Sequence, residues 1–281
     1  MRDISTVSFF LIFANIIISY NGFTNTRFFD DYKFEIDKIL KRKEYIRLIS
    51  SGFLHTGWTH LIINIISIYV FSATLNAQFG WFGFLLIYLV SLIGGNLLTL
   101  YIHRNHWDYS GVGASGAVCG IMFAAIAVFP GMNIGLLFLP ISLPAWIFGL
   151  AYVLYTIYGI KSDNDNIGHA AHLGGALLGM ITALLLLPSA IVTNYITILL
   201  IMVPVLIFMY IIIYRPAFLL INNYSKAPTK KYYSIEHKYH EERVAKQKEI
   251  DGILEKINKR GVNSLTKSEK ERLDEYARRS R

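Results

Sequence analysis

Seven stretches of about 20 mostly apolar residues, near 4–22, 60–79, 82–102, 115–130, 138–159, 169–188 and 195–214, constrain this chain more than any other feature. A stretch of that length and character is what a helix needs to cross a bilayer. In 281 residues that are 54% hydrophobic and 16% charged, so much apolar surface cannot be hidden in one soluble core. The sequence therefore predicts an all-α fold, a polytopic transmembrane helical bundle embedded in a lipid bilayer. The first stretch has neither a basic leader nor a small-residue cleavage site, and Asn15 interrupts it, so it reads as a retained span and not as a signal peptide.

Charge is uneven. Residues 1–214 carry 10 Lys/Arg against 9 Asp/Glu, whereas 215–281 carry 17 against 10, so nearly all of the net +8 belongs to the tail. A basic tail can touch anionic headgroups, but its mixed signs and lack of aromatic–glycine repeats argue against nucleic-acid binding and for a solvated helical surface. Its partner is not encoded in any recognisable motif. Cys119 is the single cysteine, which excludes an intrachain disulfide. No Cys/His spacing suits a structural zinc site, so no metal or cofactor is expected.

Polarity divides the chain into a first span with its loop (1–42), a core of spans (43–190), a seventh span (191–214) and a basic helical tail (215–281). In the loop, Phe34, Ile36, Ile39, Leu40, Tyr45 and Leu48 recur at roughly helical spacing and predict an amphipathic cap on the membrane interface. In the tail, Ile250, Ile253, Leu254 and Ile257 follow an i, i+3, i+4, i+7 pattern that ends at Gly261. Thr266-Lys267-Ser268-Glu269 then reads as a capping box, which together predict a small helix-turn-helix.

The polar residues inside these apolar stretches carry the chemistry. Cleaving a peptide bond takes a nucleophile, a base for its proton, and donors for the oxyanion. Ser115, in Gly113-Ala114-Ser115-Gly116, opens an apolar helix, where unpaired backbone N–H groups favour developing negative charge. Gly116 and Gly120 alone would make it a packing serine on a small-xxx-small face. His172 changes the weight, because an ionisable side chain within a span is costly and usually faces a functional cavity. Gly175 and Gly179 follow it as a second small face, which would let the two helices approach closely enough for a Ser–His hydrogen bond. His169, one turn before, reads as an interfacial residue at the helix mouth. His60 and Asn64 share one face of another span and suit an oxyanion hole better than a metal site, since no acidic residue lies within these spans.

Together, His60-x-x-x-Asn64, Gly113-x-Ser115-Gly116 and His172-x-Gly174-Gly175-x-x-x-Gly179 resemble the rhomboid intramembrane serine proteases in order, spacing and span number. The resemblance covers roughly 43–188 and includes Glu44-Tyr45-Ile46-Arg47 and Phe53-Leu54-His55. It implies a six-span core plus the seventh span and a small helical tail of the kind appended to some bacterial members. It also implies a Ser115–His172 dyad without an acidic third member, and oxyanion donors from His60, Asn64 and the Ser115 backbone N–H. The implied substrates are transmembrane proteins cut near small, helix-destabilising residues, and the implied location is a bacterial inner membrane. Two positions depart from the family: Cys119 stands where an aromatic residue often stacks on the histidine, and Ile46 replaces a common tryptophan. A lone cysteine in an apolar helix is more often inert packing than a nucleophile. The resemblance puts the amino terminus in the cytoplasm and, through seven spans, the tail outside, whereas the positive-inside bias prefers the tail inside. The alternative class is a non-proteolytic rhomboid-like protein that binds transmembrane clients, with the same polar residues merely holding the bundle together.

Overall fold

The computed structural model describes residues 5–135, 142–162, 167–214 and parts of 250–273. The chain divides into two units, residues 1–231 and 232–281. In the first, α1 (Thr6–Thr24) starts at Ser5, whose hydroxyl accepts from the Ser8 N–H, and ends at Asn25, which caps α2 (Thr26–Tyr32) by accepting from Phe28. β1 (Phe34–Glu35), α3 (Ile36–Arg42) and α4 (Arg47–Ser50) follow, with a single 3₁₀ turn at Ser51–Phe53. α5 (Trp58–Ile102) runs 45 residues, far longer than one membrane crossing needs. It breaks at Gly80, where φ is +69°, a region open to glycine and strained for L side chains. The predicted second and third spans are thus two helices, the two halves of α5, that meet at the non-helical Gly80.

β2 (Ser110–Gly111) pairs antiparallel with β1, Phe34 opposite Gly111. Then come α6 (Ser115–Val128), the ribbon of β3 (Asn133–Gly135) and β4 (Ser142–Pro144), α7 (Ala145–Ser162), α8 (His169–Leu186), α9 (Ser189–Thr193) and α10 (Tyr195–Tyr214). Four of these helices are long and apolar enough to cross a membrane, and the fold is an all-α polytopic membrane bundle. The fifth apolar stretch starts its helix later than its hydropathy predicts. Pro144 holds the residue before it extended, and Ser142–Pro144 pairs with β3 instead.

α1 lies antiparallel to the first half of α5. Asn76 Nδ2 donates to Ser8 Oγ at 3.0 Å near one end, and Ser19 Oγ donates to the Phe53 carbonyl at 2.9 Å near the other. α6 occupies the centre, with 11 of its 14 residues buried, and is enclosed by protein instead of lipid. It is hydrophobic all round, as a helix in that position must be. Its neighbour α8 meets it backbone to backbone: a Cβ added at Gly175 would overlap the Gly116 carbonyl, and one at Gly179 would overlap Gly120. The other flank of α8 meets α5 the same way, Gly174 against the Gly94 carbonyl and Gly95 against that of Ala171. In lipid, where burying apolar surface gives no net drive between helices, such close packing supplies the association energy.

The loop at 23–50 is not one amphipathic helix. Lys43 adopts φ +59° and stops α3, so the helical spacing read from the sequence is broken. Phe34, Ile36 and Ile39 are buried with Leu48, Leu100 and Tyr109, while Leu40 and Tyr45 are exposed. Arg47 fastens the segment: its buried guanidinium donates to the carbonyls of Asp30 and Lys33 at 2.8 Å each and pairs with Glu44 at 2.6 Å. That pairing holds the Glu44 carboxyl below its ordinary range.

Within the second unit, Ile250, Ile253 and Leu265 form a small core with Ile257 and Leu273. Leu254 is exposed. Gly261 takes φ +75° after Ile257 accepts its N–H, as a helix-ending glycine does. The capping box is present in both directions: Glu269 N–H donates to Thr266 Oγ1 at 3.3 Å, and Thr266 N–H to Glu269 Oε2 at 2.7 Å.

Candidate active site

The glycine contacts between α6 and α8 determine the distance between the side chains one turn away. Ser115 is the first residue of α6 and His172 lies in the first turn of α8, and with the backbones touching at Gly116 and Gly175 their side chains meet. Ser115 Oγ lies 2.7 Å from His172 Nε2. His172 is buried, and Ser115 is half-buried at the end of its helix. The Ser115 N–H has no acceptor within its own helix, as for any residue in a first turn.

The segment before α6 is held by a polar chain from α1. Ser19 Oγ and His55 Nδ1 are 2.8 Å apart, and the Ala114 N–H points at His55 Nε2 at 3.4 Å. Because Nε2 accepts, Nδ1 carries the proton and donates to Ser19, whose own hydroxyl proton goes to Phe53. Burial, with the neighbouring His60, pushes the His55 imidazole down to about 3, so it stays neutral. The sequence quotes His55 only as part of a leading segment; its role in setting the start of α6 shows in the folded chain.

Gly113 bends the chain into Ser115 with φ +133°. The space that a side chain would need there belongs to His60: a Cβ on Gly113 would lie 2.8 Å from His60 Nε2 and 3.7 Å from Ser115 Oγ. The His60 ring and the Ser115 hydroxyl thus lie on either side of Gly113, close to one another. Thr56 Oγ1 holds His60 Nδ1 at 3.2 Å from the preceding turn. Asn64 is buried one turn further on, with one amide hydrogen given to the His60 carbonyl at 3.0 Å and a second still on the same nitrogen.

His169 opens α8, and its side chain is turned into the bundle. It is 4% exposed, its ring pressed on Gly159 of α7, where any side chain would collide with it, and against Tyr155 at 5.1 Å. Tyr152 of α7 has no counterpart in the sequence reading. Its hydroxyl is 3.0 Å from His172 Nδ1 and 3.1 Å from Cys119 Sγ. Among the described residues, no group of three or more His, Cys, Asp or Glu side chains could hold a metal ion.

A Ser–His pair held between two helices of a polytopic bundle defines a class of membrane protein with a polar site among its spans. The comparisons make it specific. A rhomboid-domain family model matches residues 42–189, more than half of the chain, and the protein belongs to the rhomboid family, which includes intramembrane serine proteases. A second model, a family of unknown function (DUF6576), matches residues 233–279. Similar proteins include RHOMBOID-like protein 12, mitochondrial, of Arabidopsis thaliana, 29% identical over 60% of this chain and 54% of that protein. Rhomboid protein 1, mitochondrial, of Saccharomyces cerevisiae is 31% identical over 51% of this chain and 43% of its own length. Rhomboid protease AarA of Providencia stuartii is 31% identical over 48% and 53%. The chain spans about half the length of these relatives.

Proposed function

We propose that this protein is an intramembrane serine endopeptidase acting on transmembrane proteins, with Ser115 as nucleophile and His172 as general base. The observation that carries the reading is the 2.7 Å contact between Ser115 Oγ and His172 Nε2, in a pair formed by two helices that touch through glycine. In the proposed reaction Ser115 Oγ bonds to the scissile carbonyl carbon while its proton passes to Nε2. The carbonyl π pair moves onto oxygen, where the Ser115 N–H, His60 and the second Asn64 amide hydrogen can donate to it. His172 then returns the proton to the leaving amine, and water releases the acyl group by the same steps. An intact substrate helix hides its carbonyls in i→i−4 bonds, so substrates weakened by small residues are the natural class. The membrane proposed is a bacterial inner membrane; the similar proteins include a bacterial member, from Providencia stuartii, beside two mitochondrial ones.

The test is labelling of the full chain in detergent by a fluorophosphonate probe, beside cleavage of a reporter whose transmembrane helix carries glycine and alanine near one end. Wild type should label and cut; Ser115→Ala and His172→Ala, inserted at normal levels, should do neither. Cleavage that persists in both variants would overturn the assignment.

A further inference from the structure

Serving as a base requires His172 to keep Nε2 free of a proton, and that is decided at its other nitrogen. If Ser115 donates to Nε2, the proton of the neutral ring sits on Nδ1, and Nδ1 lies 3.0 Å from the Tyr152 hydroxyl oxygen. The Tyr152 hydroxyl proton then has an acceptor of its own, Cys119 Sγ at 3.1 Å. All donors point one way: Ser115 to His172, His172 to Tyr152, Tyr152 to Cys119. The tyrosine ring is held on two sides, by Phe123 of α6 and Phe148 one turn back on α7, each with centroids 6.0 Å away.

We propose that Tyr152 is the positioning residue of the site, fixing the tautomer and angle of His172 from α7, and that Cys119 acts through it by orienting its hydroxyl. The proposal rests on the protease reading and adds to it a third helix. The Tyr152 ring also lies near-parallel to the imidazole, with centroids 6.3 Å apart and planes at 27°, but a ring contact alone would not need the hydroxyl to sit between Nδ1 and the sulfur four residues after Ser115, as it does here. No proton leaves through this chain during catalysis. When Nε2 receives the serine proton, the imidazolium keeps its Nδ1–H on Tyr152 and hands the Nε2 proton to the leaving group. The other titratable ring beside His172 is that of His169 on α8, at 6.3 Å, itself against Tyr155 of α7.

The experiment compares wild type, Tyr152→Phe, Cys119→Val and Cys119→Ser as full chains in detergent, by fluorophosphonate labelling rates across pH and by the ¹⁵N shifts of the His172 ring. Tyr152→Phe keeps the ring and loses the oxygen. It should lower the maximal labelling rate about tenfold with the half-saturating probe concentration unchanged, as expected for losing one hydrogen bond to a charged group. Its acidic limb should move to lower pH, since the imidazolium loses an acceptor, and the Nδ1–H signature should give way to a mixture of tautomers. Cys119→Val should fall between the two, and Cys119→Ser, which keeps an acceptor, should recover most of the difference. Wild-type rate, pH profile and tautomer in Tyr152→Phe, with Ser115→Ala silent, would overturn this inference and leave the protease reading intact. A folded wild type that does not label would overturn the protease reading, and the ring tautomer in Tyr152→Phe would then decide the Tyr152 proposal alone.

Discussion

Polar side chains in an apolar bundle are expensive, and the neighbours of His60 and His55 suggest a use for each. In the proposed reaction His60 is one of the oxyanion donors, and on that reading His60→Ala should lower the maximal rate by about 10²-fold with little change in KM. Reporter kinetics check this, and an unchanged rate would remove His60 from the oxyanion site. His55 makes a different prediction. Its folded value, about 3, lies below the ordinary 6.5, so its contribution to stability is complete above pH 6.5 and is lost as pH falls from there toward 3. Thermal unfolding in detergent should show this acid sensitivity in wild type and less of it in His55→Gln. The sequence points to Ser115, His172, His60 and Asn64 through their joint order and spacing, since serines and asparagines such as Ser8, Asn15, Ser72 and Asn76 occur in the same apolar stretches and only the histidines are costly enough to stand out singly. Tyr152 does not stand out. It is one of 18 tyrosines in the chain, and nothing in its spacing marks the hydroxyl as facing a histidine 20 residues away.

Among the elements, α8 is the one on which the site depends, because it has backbone contacts on two sides. Substituting Gly175 by leucine must push α8 off α6 at the carbonyl of Gly116, and overpacking of this kind costs roughly 1–3 kcal/mol. Gly175→Leu should therefore lower the denaturant midpoint and abolish Ser115 labelling together, whereas Leu185→Ala, at a 75% exposed position of the same helix, should leave labelling intact. Both small faces are legible in the sequence as a repeat of glycine every fourth residue. The loop at 23–50 is not legible in the same way. Its apolar spacing is close to helical, but spacing says nothing of Lys43 in the left-handed region or of a guanidinium that gathers two carbonyls from the end of α2.

For the molecule as a whole, the two units answer to different forces. The bundle is held by close backbone packing, and the second unit by a few apolar side chains and a capping box. In that unit Lys256 and the Thr266 donors hold the Glu269 carboxyl down to about 2. Sign follows from the lowered value: the stabilisation is complete above the ordinary value near 4.5 and drains away as pH falls toward 2. Pepsin proteolysis of the full protein between pH 5 and 2 should cut the region after residue 250 progressively faster toward acid, and Glu269→Gln should flatten that dependence. The doubled-back α5 has a consequence for how the chain reaches the membrane at all. Residues 48–103 contain no Asp, Glu, Lys or Arg, and the bend at Gly80 falls in the middle of that run. Both halves can enter lipid as one hairpin whose tip carries no charged side chain, the only ionisable bases in these 56 residues being His55, His60 and His103 toward its open ends, and the charges at Arg47 and Arg104 stay together on the side from which the hairpin came.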